Sequence, residues 1–391
     1  MKRFLPALHI FSVSVLCILI SCGNNTKTIG PRPDEDPVVT EDDPTNADQG
    51  DSDPADSGDT QTPTDTDDAE GPSDTGDTGL TDTGDPTDED DTELSDSGDP
   101  SVGEADVFQT GPYAVNSVDM PKNQSGAARD FRVYVPAGVP GKVPVIHFQH
   151  GYQLKYTYYD DVLTHLASHG FIVVSSQSDH KLVGGDTSIQ EAVKVAEFIA
   201  FVKANIADSL PNIEVDVENF GVAGHSRGGK VTNRVLNSDP EIAKGFFGLD
   251  PVDTQPPLTN DPLSMSEPVQ FQGPSMFLGA EKGPEGLQAC APSGENSVNF
   301  YAGFPHPSWH VIVTGVGHMD MLDADDVSAC GLTCSVCAKS GDSGLNAQFR
   351  SYSGGVMAAF FGYTLKGIEA YKAVLDDTSN HPIALKLSEH K

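Results

Sequence analysis

Basic side chains are scarce in this sequence of 391 residues, where 23 Lys and Arg stand against 58 Asp and Glu and give a formal net charge of -35. A chain this negative repels phosphates, so a nucleic acid partner is excluded. Residues 33–106 hold 28 of the acidic side chains, no Lys or Arg, and almost no apolar side chains. Such a segment cannot bury enough surface to offset its ordering entropy. We therefore predict a disordered acidic linker over residues 23–106 and a folded domain over residues 107–391.

Short acidic repeats fill this linker, as in Asp56-Ser57-Gly58-Asp59 and Asp74-Thr75-Gly76-Asp77. Repulsion between like charges favours an extended, solvated chain. Closely spaced Asp side chains also suit calcium, but the regular D-x-D-x-D-G loop with a distal Glu is missing. The solvated spacer is therefore the preferred interpretation, and calcium binding is the alternative.

The apolar run near the N-terminus, from Phe11 to Ile20, lacks the length to span a bilayer comfortably. It follows Lys2 and Arg3, as the apolar part of a secretory signal does. It ends in Leu19-Ile20-Ser21-Cys22, which resembles a bacterial lipobox. We expect residues 1–22 to form a lipoprotein signal peptide and Cys22 to carry a lipid that anchors the protein to a membrane of the cell envelope. The alternative is an ordinary signal peptide in which Cys22 is incidental.

Cysteine is also rare, with six in the chain. If Cys17 leaves with the signal and Cys22 carries lipid, four remain, namely Cys290, Cys330, Cys334 and Cys337. An even number in an exported domain favours two disulfides, with three connectivities open. A zinc site with four thiolate ligands is the alternative, disfavoured by the oxidising surroundings and by the lack of a second C-x2-C pair. We expect no metal and no cofactor.

Signals for strands and helices alternate after residue 130. The predicted strands are 131–135, 143–148, 171–175, 220–223, 245–249, 275–279 and 310–314. The predicted helices are 160–167, 189–206, 229–236 and 352–365. This alternation predicts an α/β fold, a mainly parallel sheet with helices on both faces. Functional sites in such folds lie at the carboxyl ends of the strands.

One such strand end carries Gly224-His225-Ser226-Arg227-Gly228, a G-x-S-x-G sequence. It directly follows a predicted strand and directly precedes a predicted helix, as a nucleophile elbow does. The small flanking residues permit the tight turn that lifts Ser226 out of the sheet. A serine hydroxyl needs a histidine to take its proton and an acid to orient that histidine. In this kind of site the usual chain order is Ser, acid, His.

Both partners occur in that order. Asp250 ends the apolar strand 245–249, and Asp253, just beyond it, is the alternative acid. His318 lies in the Gly-rich turn after strand 310–314, which can place it over the site. We predict Asp250 as the acid and His318 as the base. The less favoured bases are His180, His306 and His310.

Acyl transfer also needs two backbone N–H groups to bind the oxyanion. One is expected from Arg227, directly after the nucleophile. The other is expected from the loop after strand 143–148, with Tyr152 as the first choice and Gly151 as the second. A tyrosine at that position can also cover an apolar substrate.

Four runs of residues carry a resemblance to a known family. They are Gly224-His225-Ser226-Arg227-Gly228-Gly229-Lys230, Leu249-Asp250-Pro251-Val252-Asp253, Cys290-Ala291-Pro292 and Gly317-His318-Met319-Asp320-Met321-Leu322-Asp323. In this order, over residues 107–375, they look like successive motifs of the chlorophyllases, and the resemblance includes the Cys334-x-x-Cys337 region. Four linked motifs are far more specific than the elbow.

The resemblance implies the α/β-hydrolase fold and hydrolysis of carboxylic esters, with Ser226 as nucleophile, His318 as base and an acid between Asp250 and Asp253. The chain is similar, more distantly, to the acetylhydrolases of platelet-activating factor, which favour Asp250, and to polyester-cleaving cutinases. Plant chlorophyllases carry neither a lipobox nor an acidic tether. We therefore expect a small-molecule or polymeric hydrophobic ester met outside the cytoplasm. The alternatives are a non-catalytic binding module on the same fold, or an enzyme specific for chlorophyll phytyl ester, lipid acetyl ester, polyester or a peptide bond.

Overall fold

The computed structural model describes residues 106–179, 185–255, 260–286, 289–323, 326 and 330–391. The predicted signal peptide, Cys22 and the linker up to residue 105 lie outside these residues, as does His180. Within the described ranges, no helix combines the length and the apolar character needed to cross a membrane.

A single sheet of nine strands runs through the described part of the chain. The strands are β1 Val115–Met120, β2 Phe131–Pro136, β3 Lys142–Gln149, β4 Ile172–Ser176, β5 Glu214–His225, β6 Gly245–Leu249, β7 Ser275–Ala280, β8 Ser308–Val313 and β9 Leu385–His390. They lie in the order β1-β2-β4-β3-β5-β6-β7-β8-β9. The strands from β4 to β8 across the sheet pair in parallel, and β1, β2 and β9 pair antiparallel at the two edges. The predicted α/β-hydrolase architecture, a mainly parallel sheet, is confirmed.

Helices connect most of the strands. In the described residues they are α1 Lys122–Ser125, α2 Asp160–Ser168, α3 Ser188–Ser209, α4 Arg227–Ser238, α5 Ser297–Gly303, α6 Leu332–Ser335, α7 Ser343–Lys366 and α8 Glu369–Asp376. A short 3-10 turn spans Ser264–Ser266. Because right-handed crossovers join parallel strands, the helices cover both faces of the sheet.

Alternation along the central strands divides the apolar interior into two cores, one on each face of the sheet. In β3, Ile146 and Phe148 contribute to the core that also contains apolar residues of α2 and α7. Val145, between them, contributes to the core that contains apolar residues of α3 and α4. Both faces of the sheet are therefore buried, which explains why its central strands read as nearly continuous apolar runs.

Capping residues fix the ends of the two long helices more closely than the apolar pattern does. At the start of α3, the side chain of Thr187 accepts a hydrogen bond from the Gln190 N–H while Gln190 bonds back to the Thr187 N–H. At the start of α7, Asp342 accepts from two N–H groups, well before residue 352, where the sequence predicted the helix. The first turns of α7 are largely exposed, so apolar periodicity does not reveal them.

The strands β1 and β9 and the helices α1, α5, α6 and α8 were not predicted from the sequence. Both strands lie at sheet edges and have partly or fully exposed residues at every position. The predicted strand 220–223 is likewise only the buried end of β5, which begins at Glu214. Edge segments bury little apolar surface, so the signal used to find strands is absent there.

Candidate active site

Ser226 occupies the turn between β5 and α4, at the carboxyl edge of the sheet. Its backbone has φ 56° and ψ -128°, a conformation that residues with a side chain rarely adopt. Main-chain hydrogen bonds hold the turn: Ser226 donates to the carbonyl of Leu249 over 3.2 Å and accepts from the N–H of Gly229 over 2.9 Å and of Val252 over 3.0 Å. The surrounding backbone thus sustains the strained turn that a nucleophile elbow requires.

The two glycines of the elbow allow its close packing. A Cβ atom at Gly224 would lie 2.5 Å from the carbonyl oxygen of Gly228. A Cβ atom at Gly228 would overlap the carbonyl oxygen of Gln149, at the end of β3. Side chains at either position would therefore push α4 away from the sheet and displace Ser226.

Three of the predicted site residues come together at this turn. His318, in the loop after β8, has its Nε2 atom 2.8 Å from the Oγ atom of Ser226. Its Nδ1 atom lies 2.7 Å from Oδ2 of Asp250, which follows β6. The exposed fractions are 8% for Ser226, 2% for His318 and 1% for Asp250. With Nδ1–H donating to the carboxylate, Nε2 is free to accept the serine proton, which is the arrangement needed to activate a hydroxyl.

The structure distinguishes the two candidate acids. Asp250 has φ 39°, a left-handed turn that directs its carboxylate to His318, and its Oδ1 atom accepts from the N–H of Ala280 over 3.1 Å. The carboxylate of Asp253 instead accepts from the N–H groups of Ser264 over 2.7 Å and Met265 over 2.8 Å. Asp253 therefore caps the 3-10 turn and makes no triad contact with His318.

The other candidate bases within the described residues lie elsewhere. The Nδ1 atom of His310, in β8, is 2.9 Å from Glu389 and its Nε2 atom is 3.1 Å from the hydroxyl of Ser297. Burial lowers the pKa of His310. His306 is exposed, before β8 at the opposite end of that strand from His318. Neither histidine contacts Ser226, so His318 is the histidine that fits the role of base.

The candidate oxyanion donors flank Ser226 on two sides. Arg227 begins α4, where main-chain N–H groups have no carbonyl partner within the helix. The N–H of Gly151 donates to the hydroxyl of Tyr159 over 3.1 Å, so this donor is already engaged within the protein. The ring of Tyr152 lies 5.9 Å from the guanidinium of Arg227. The structure thus disfavours Gly151 as the second donor, and Tyr152 stays the predicted one.

A buried cluster of charged side chains holds α4, the helix that follows Ser226, in place. The guanidinium of Arg227 lies 3.0 Å from Glu191 and 3.3 Å from Asp261. The ammonium of Lys230 lies 3.4 Å from Asp261 and 3.9 Å from Asp253. Removing one partner of such a cluster leaves an uncompensated buried charge, which costs about 3–5 kcal/mol. The two basic residues of the sequence motif therefore hold α4 against α3 and the loop after β6.

Two residues beside the triad were not identified from the sequence. His225, between Gly224 and Ser226, is fully buried, and its Nδ1 atom lies 2.8 Å from the hydroxyl of Tyr159. The rings of His225 and His318 pack with their centroids 4.7 Å apart. The G-x-S-x-G pattern leaves the residue before serine unspecified, and Tyr159 is 66 positions away, so no local signal connects them.

Two aspartates fix the loop that carries His318. Oδ2 of Asp320 accepts from the N–H of Gly317 and from the N–H of Ser340, both over 2.7 Å. Asp323 accepts from the first two N–H groups of α2 over 2.7 and 3.0 Å, and burial raises its pKa to about 6. Both aspartates belong to the motif around His318, and their bonds tie that loop to α2 and to the segment before α7.

The four cysteines of the domain form two disulfides, Cys290–Cys337 and Cys330–Cys334. The predicted disulfides are confirmed, and the pairing leaves no thiolates for the zinc alternative. Gly317, next to His318, packs directly against Ala338, the neighbour of Cys337. Cys290–Cys337 therefore braces the segment on which the His318 loop rests. Among the described residues, no group of three or more His, Cys, Asp or Glu side chains is arranged to hold a metal ion.

Comparison with known proteins finds relatives of this chain. The family model described as Chlorophyllase matches residues 103–391. Chlorophyllase-1 of Arabidopsis thaliana is 32% identical over 285 residues, which are 68% of this chain and 86% of that protein. Chlorophyllase-2 of the same plant is 28% identical over 265 residues, 64% of this chain and 82% of the relative. Chlorophyllase-1, chloroplastic, of Citrus sinensis is 30% identical over 298 residues, 73% of this chain and 88% of the relative.

Proposed function

This chain belongs to the chlorophyllase family, which makes it an ester hydrolase of the α/β-hydrolase type, and we propose that it is a serine carboxylesterase working through an acyl-enzyme. One observation carries the proposal: His318 lies 2.8 Å from the hydroxyl of Ser226 and 2.7 Å from the carboxylate of Asp250. Nucleophile, base and orienting acid thus stand within hydrogen-bond distance, in the chain order typical of this fold.

Acylation begins when the Oγ atom of Ser226 attacks the ester carbonyl carbon and the Nε2 atom of His318 takes the hydroxyl proton. The carboxylate of Asp250 stabilises the imidazolium that forms and keeps Nδ1 protonated. The tetrahedral intermediate then collapses, the bond to the alcohol oxygen breaks, and His318 gives its proton to the leaving alcohol. In the second half of the reaction, water attacks the acyl-enzyme carbonyl carbon while His318 takes its proton. The bond to the Oγ atom of Ser226 then breaks, His318 returns the proton to that oxygen, and the carboxylic acid leaves.

The negative oxygen of each intermediate is bound by the main-chain N–H groups of Arg227 and Tyr152 in this proposal. Donors that are already oriented in the free enzyme stabilise the transition state without reorganising. The position of Arg227 at the start of α4 supports its role, because the partial positive charge at a helix N-terminus favours an anion.

A hydrophobic ester is the proposed substrate class. The names of the relatives support it, since they are chlorophyllases. The aromatic ring of the half-buried Tyr152, 5.9 Å from the guanidinium of Arg227, offers an apolar surface for such a group. No cofactor, metal or nucleic acid takes part in the proposal.

The place of action is proposed to be the cell envelope, outside the cytoplasm, with Cys22 lipidated. The sequence Leu19-Ile20-Ser21-Cys22 after an apolar run supports this anchor, and the acidic linker separates it from the hydrolase domain. Expression in a bacterium with a labelled fatty acid tests it: label is expected on the wild-type chain and not on Cys22→Ala. Equal labelling of both would rule out Cys22 as the site.

A substrate panel tests the catalytic proposal. The full chain is expected to hydrolyse p-nitrophenyl esters, and chlorophyll, a lipid acetyl ester and an aliphatic polyester are then compared by acid release. Ser226→Ala is expected to lower kcat by about 10⁶-fold. A folded Ser226→Ala protein with wild-type turnover would refute the proposal.

A further inference from the structure

A chain of three hydrogen bonds runs beneath the candidate site. The N–H of Gly151 lies 3.1 Å from the hydroxyl of Tyr159, the residue that precedes α2. That hydroxyl lies 2.8 Å from Nδ1 of His225, and Nε2 of His225 lies 3.2 Å from the carbonyl oxygen of His318. Tyr159 and His225 are both fully buried. These three hydrogen bonds therefore join the loop after β3, the nucleophile elbow and the loop after β8.

The acceptors determine the direction of each bond. A carbonyl oxygen only accepts, so Nε2 of His225 carries the proton that is donated to His318. Nδ1 of a neutral His225 is then an acceptor, and the hydroxyl of Tyr159 donates to it. The oxygen of Tyr159 remains available to accept the N–H of Gly151. Each donor in the chain thus has an acceptor, as buried polar groups require.

His225 and Tyr159 are both neutral in this arrangement. Burial lowers the pKa of His225 well below its ordinary value, and the adjacent His318 lowers it further. Burial also raises the pKa of Tyr159. A neutral His225 does not oppose the positive charge that His318 acquires during acylation, although the two rings are in contact. These three hydrogen bonds are therefore suited to hold atoms in place rather than to move a proton.

The Tyr159 hydroxyl holds the peptide between His150 and Gly151, and separate bonds fix the next peptide, between Gly151 and Tyr152. The carbonyl oxygen of Gly151 accepts from Nδ1 of His150 over 2.8 Å and from the N–H of Leu154 over 3.2 Å. Nε2 of His150 in turn accepts from the N–H of Ser178 over 2.8 Å. Because a trans peptide is planar, fixing this carbonyl also fixes the opposite direction of the Tyr152 N–H.

We infer that Tyr159 and His225 are positioning residues, which hold the oxyanion loop at Gly151 and the backbone of His318 at a fixed distance from Ser226. This inference rests on the proposed function, because it gives the Tyr152 N–H and the His318 ring their roles. A rigid link between donor and base keeps both aligned with the nucleophile, and misplacement by about 1 Å costs about 100-fold in rate.

The structure contains a matched control for this chain. The hydroxyl of Tyr352, in α7, lies 2.8 Å from Nδ1 of His381, and Nε2 of His381 lies 3.0 Å from the carbonyl oxygen of Val374. These are the same groups in the same order, but they belong to α7, α8 and the segment before β9, none of which contributes a residue to the candidate site. Tyr352→Phe thus removes an equivalent hydrogen bond away from Ser226.

The test compares Tyr159→Phe with Tyr352→Phe in the full chain, by kcat and KM on p-nitrophenyl butyrate and by melting temperature. We expect both variants to melt at a lower temperature, Tyr159→Phe by more because it also loses the bond from the Gly151 N–H. We expect a kcat lower by about 10- to 100-fold in Tyr159→Phe alone, and an unchanged KM. Equal kcat values in the two variants would overturn the inference and leave the esterase proposal standing. Absence of turnover and of fluorophosphonate labelling in the folded wild-type chain would overturn the proposed function, and this inference with it.

A second pair of variants serves if Tyr159→Phe does not fold. His225→Gln keeps one donor and one acceptor in its side-chain amide, whereas His225→Leu keeps neither. We expect His225→Gln to retain at least about tenfold more kcat than His225→Leu, at equal KM. Equal kcat in the two would contradict a positioning role for the hydrogen bonds of His225.

Discussion

Two tyrosine–histidine pairs lie in different regions of this fold and make the same hydrogen bonds. In each pair a buried tyrosine hydroxyl lies 2.8 Å from Nδ1 of the histidine, as in Tyr159–His225 and Tyr352–His381. In each pair the Nε2 atom of the histidine bonds to a backbone carbonyl. The two pairs differ in the segments that they connect, and the hydroxyl of Tyr159 also accepts from the N–H of Gly151.

The first pair connects loops that carry the candidate nucleophile, base and oxyanion donor. The second pair connects α7 with the C-terminal segment. Phe108 stacks on Tyr352 and contacts His381, so this cluster joins the start of the domain to its end. The comparison teaches that the chemistry of a buried hydrogen bond does not identify a functional residue. A functional residue is identified by the atoms that the hydrogen bond holds in place. Substitutions in the Tyr159–His225 pair should therefore lower kcat, and substitutions in the Tyr352–His381 pair should lower only the stability of the protein.

The largest contrast is expected between two aspartates only three positions apart. Asp250→Asn is expected to lower kcat by about 10⁴-fold, because Asn favours the wrong tautomer of His318. Asp253→Asn is expected to leave kcat within about tenfold and to lower the free energy of unfolding by about 3–5 kcal/mol, since it weakens the cap of the 3-10 turn and removes one charge partner of the buried Lys230. Steady-state kinetics and urea denaturation of both variants measure the two effects. A larger loss of kcat in Asp253→Asn than in Asp250→Asn would mean that Asp253 is the acid of the triad.

The two disulfides give the next contrast. Cys290–Cys337 closes a sequence separation of 47, and Cys330–Cys334 closes one of 4. Loop-closure entropy predicts that replacing both cysteines by serine lowers the free energy of unfolding by about 4 kcal/mol in the first case and about 2 kcal/mol in the second. Only the first disulfide braces the segment under Gly317, so only its loss is expected to lower kcat.

Urea denaturation and kinetics of the two double serine variants, measured side by side, test this contrast. The Cys330→Ser, Cys334→Ser protein is the control for the general effect of removing a disulfide. Equal activity losses in both proteins would mean that Cys290–Cys337 has no special connection to the loop of His318.

The smallest effect on kcat is expected at Lys366, at the end of α7 and remote from Ser226 in the sequence. Its ammonium lies 4.0 Å from the centre of the Phe171 ring and donates to the carbonyl of His169 over 2.9 Å, and burial lowers its pKa from 10.5 to about 8. Between these two values the unfolded chain binds more protons than the folded chain, so this group makes the protein more stable as the pH rises from 8 to 10.5.

Lys366→Met is expected to remove this contribution, which is at most about 1.4 kcal/mol per pH unit. Urea denaturation at pH 7.5, 9 and 10 measures the slope in wild type and variant, and kcat at pH 7.5 is expected to be unchanged. Parallel stability profiles for the two proteins would show that the Lys366 ammonium is not desolvated in the folded state.

Local patterns in the sequence were sufficient to predict the parallel core of the fold and the positions of Ser226 and His318. The elbow is encoded by contiguous residues, because two glycines must flank a strained turn between a strand and a helix. The apolar strands were found because they are buried on both faces. The edge strands β1 and β9 were not, because exposed edges carry no such pattern.

Tertiary contacts decided what the sequence left open. Asp250 and Asp253 follow the same strand, and only the left-handed turn at Asp250 and the cap formed by Asp253 distinguish them. The hydrogen bond between Tyr159 and His225 links residues 66 positions apart, and neither residue type predicts it. Positioning groups of this kind depend on packing between loops, which periodicity and spacing do not report.

Labelling of the full chain with a fluorophosphonate probe, followed by peptide mass spectrometry, shows directly whether Ser226 is an activated nucleophile. An activated serine forms a phosphonyl ester with loss of fluoride, so we expect one adduct on Ser226 in the wild-type chain and none in Ser226→Ala. Slower labelling of Asp250→Asn is expected as well, because His318 is then poorly oriented. Folded wild-type protein that takes up no probe, or takes it up at another residue, would show that Ser226 is not the nucleophile.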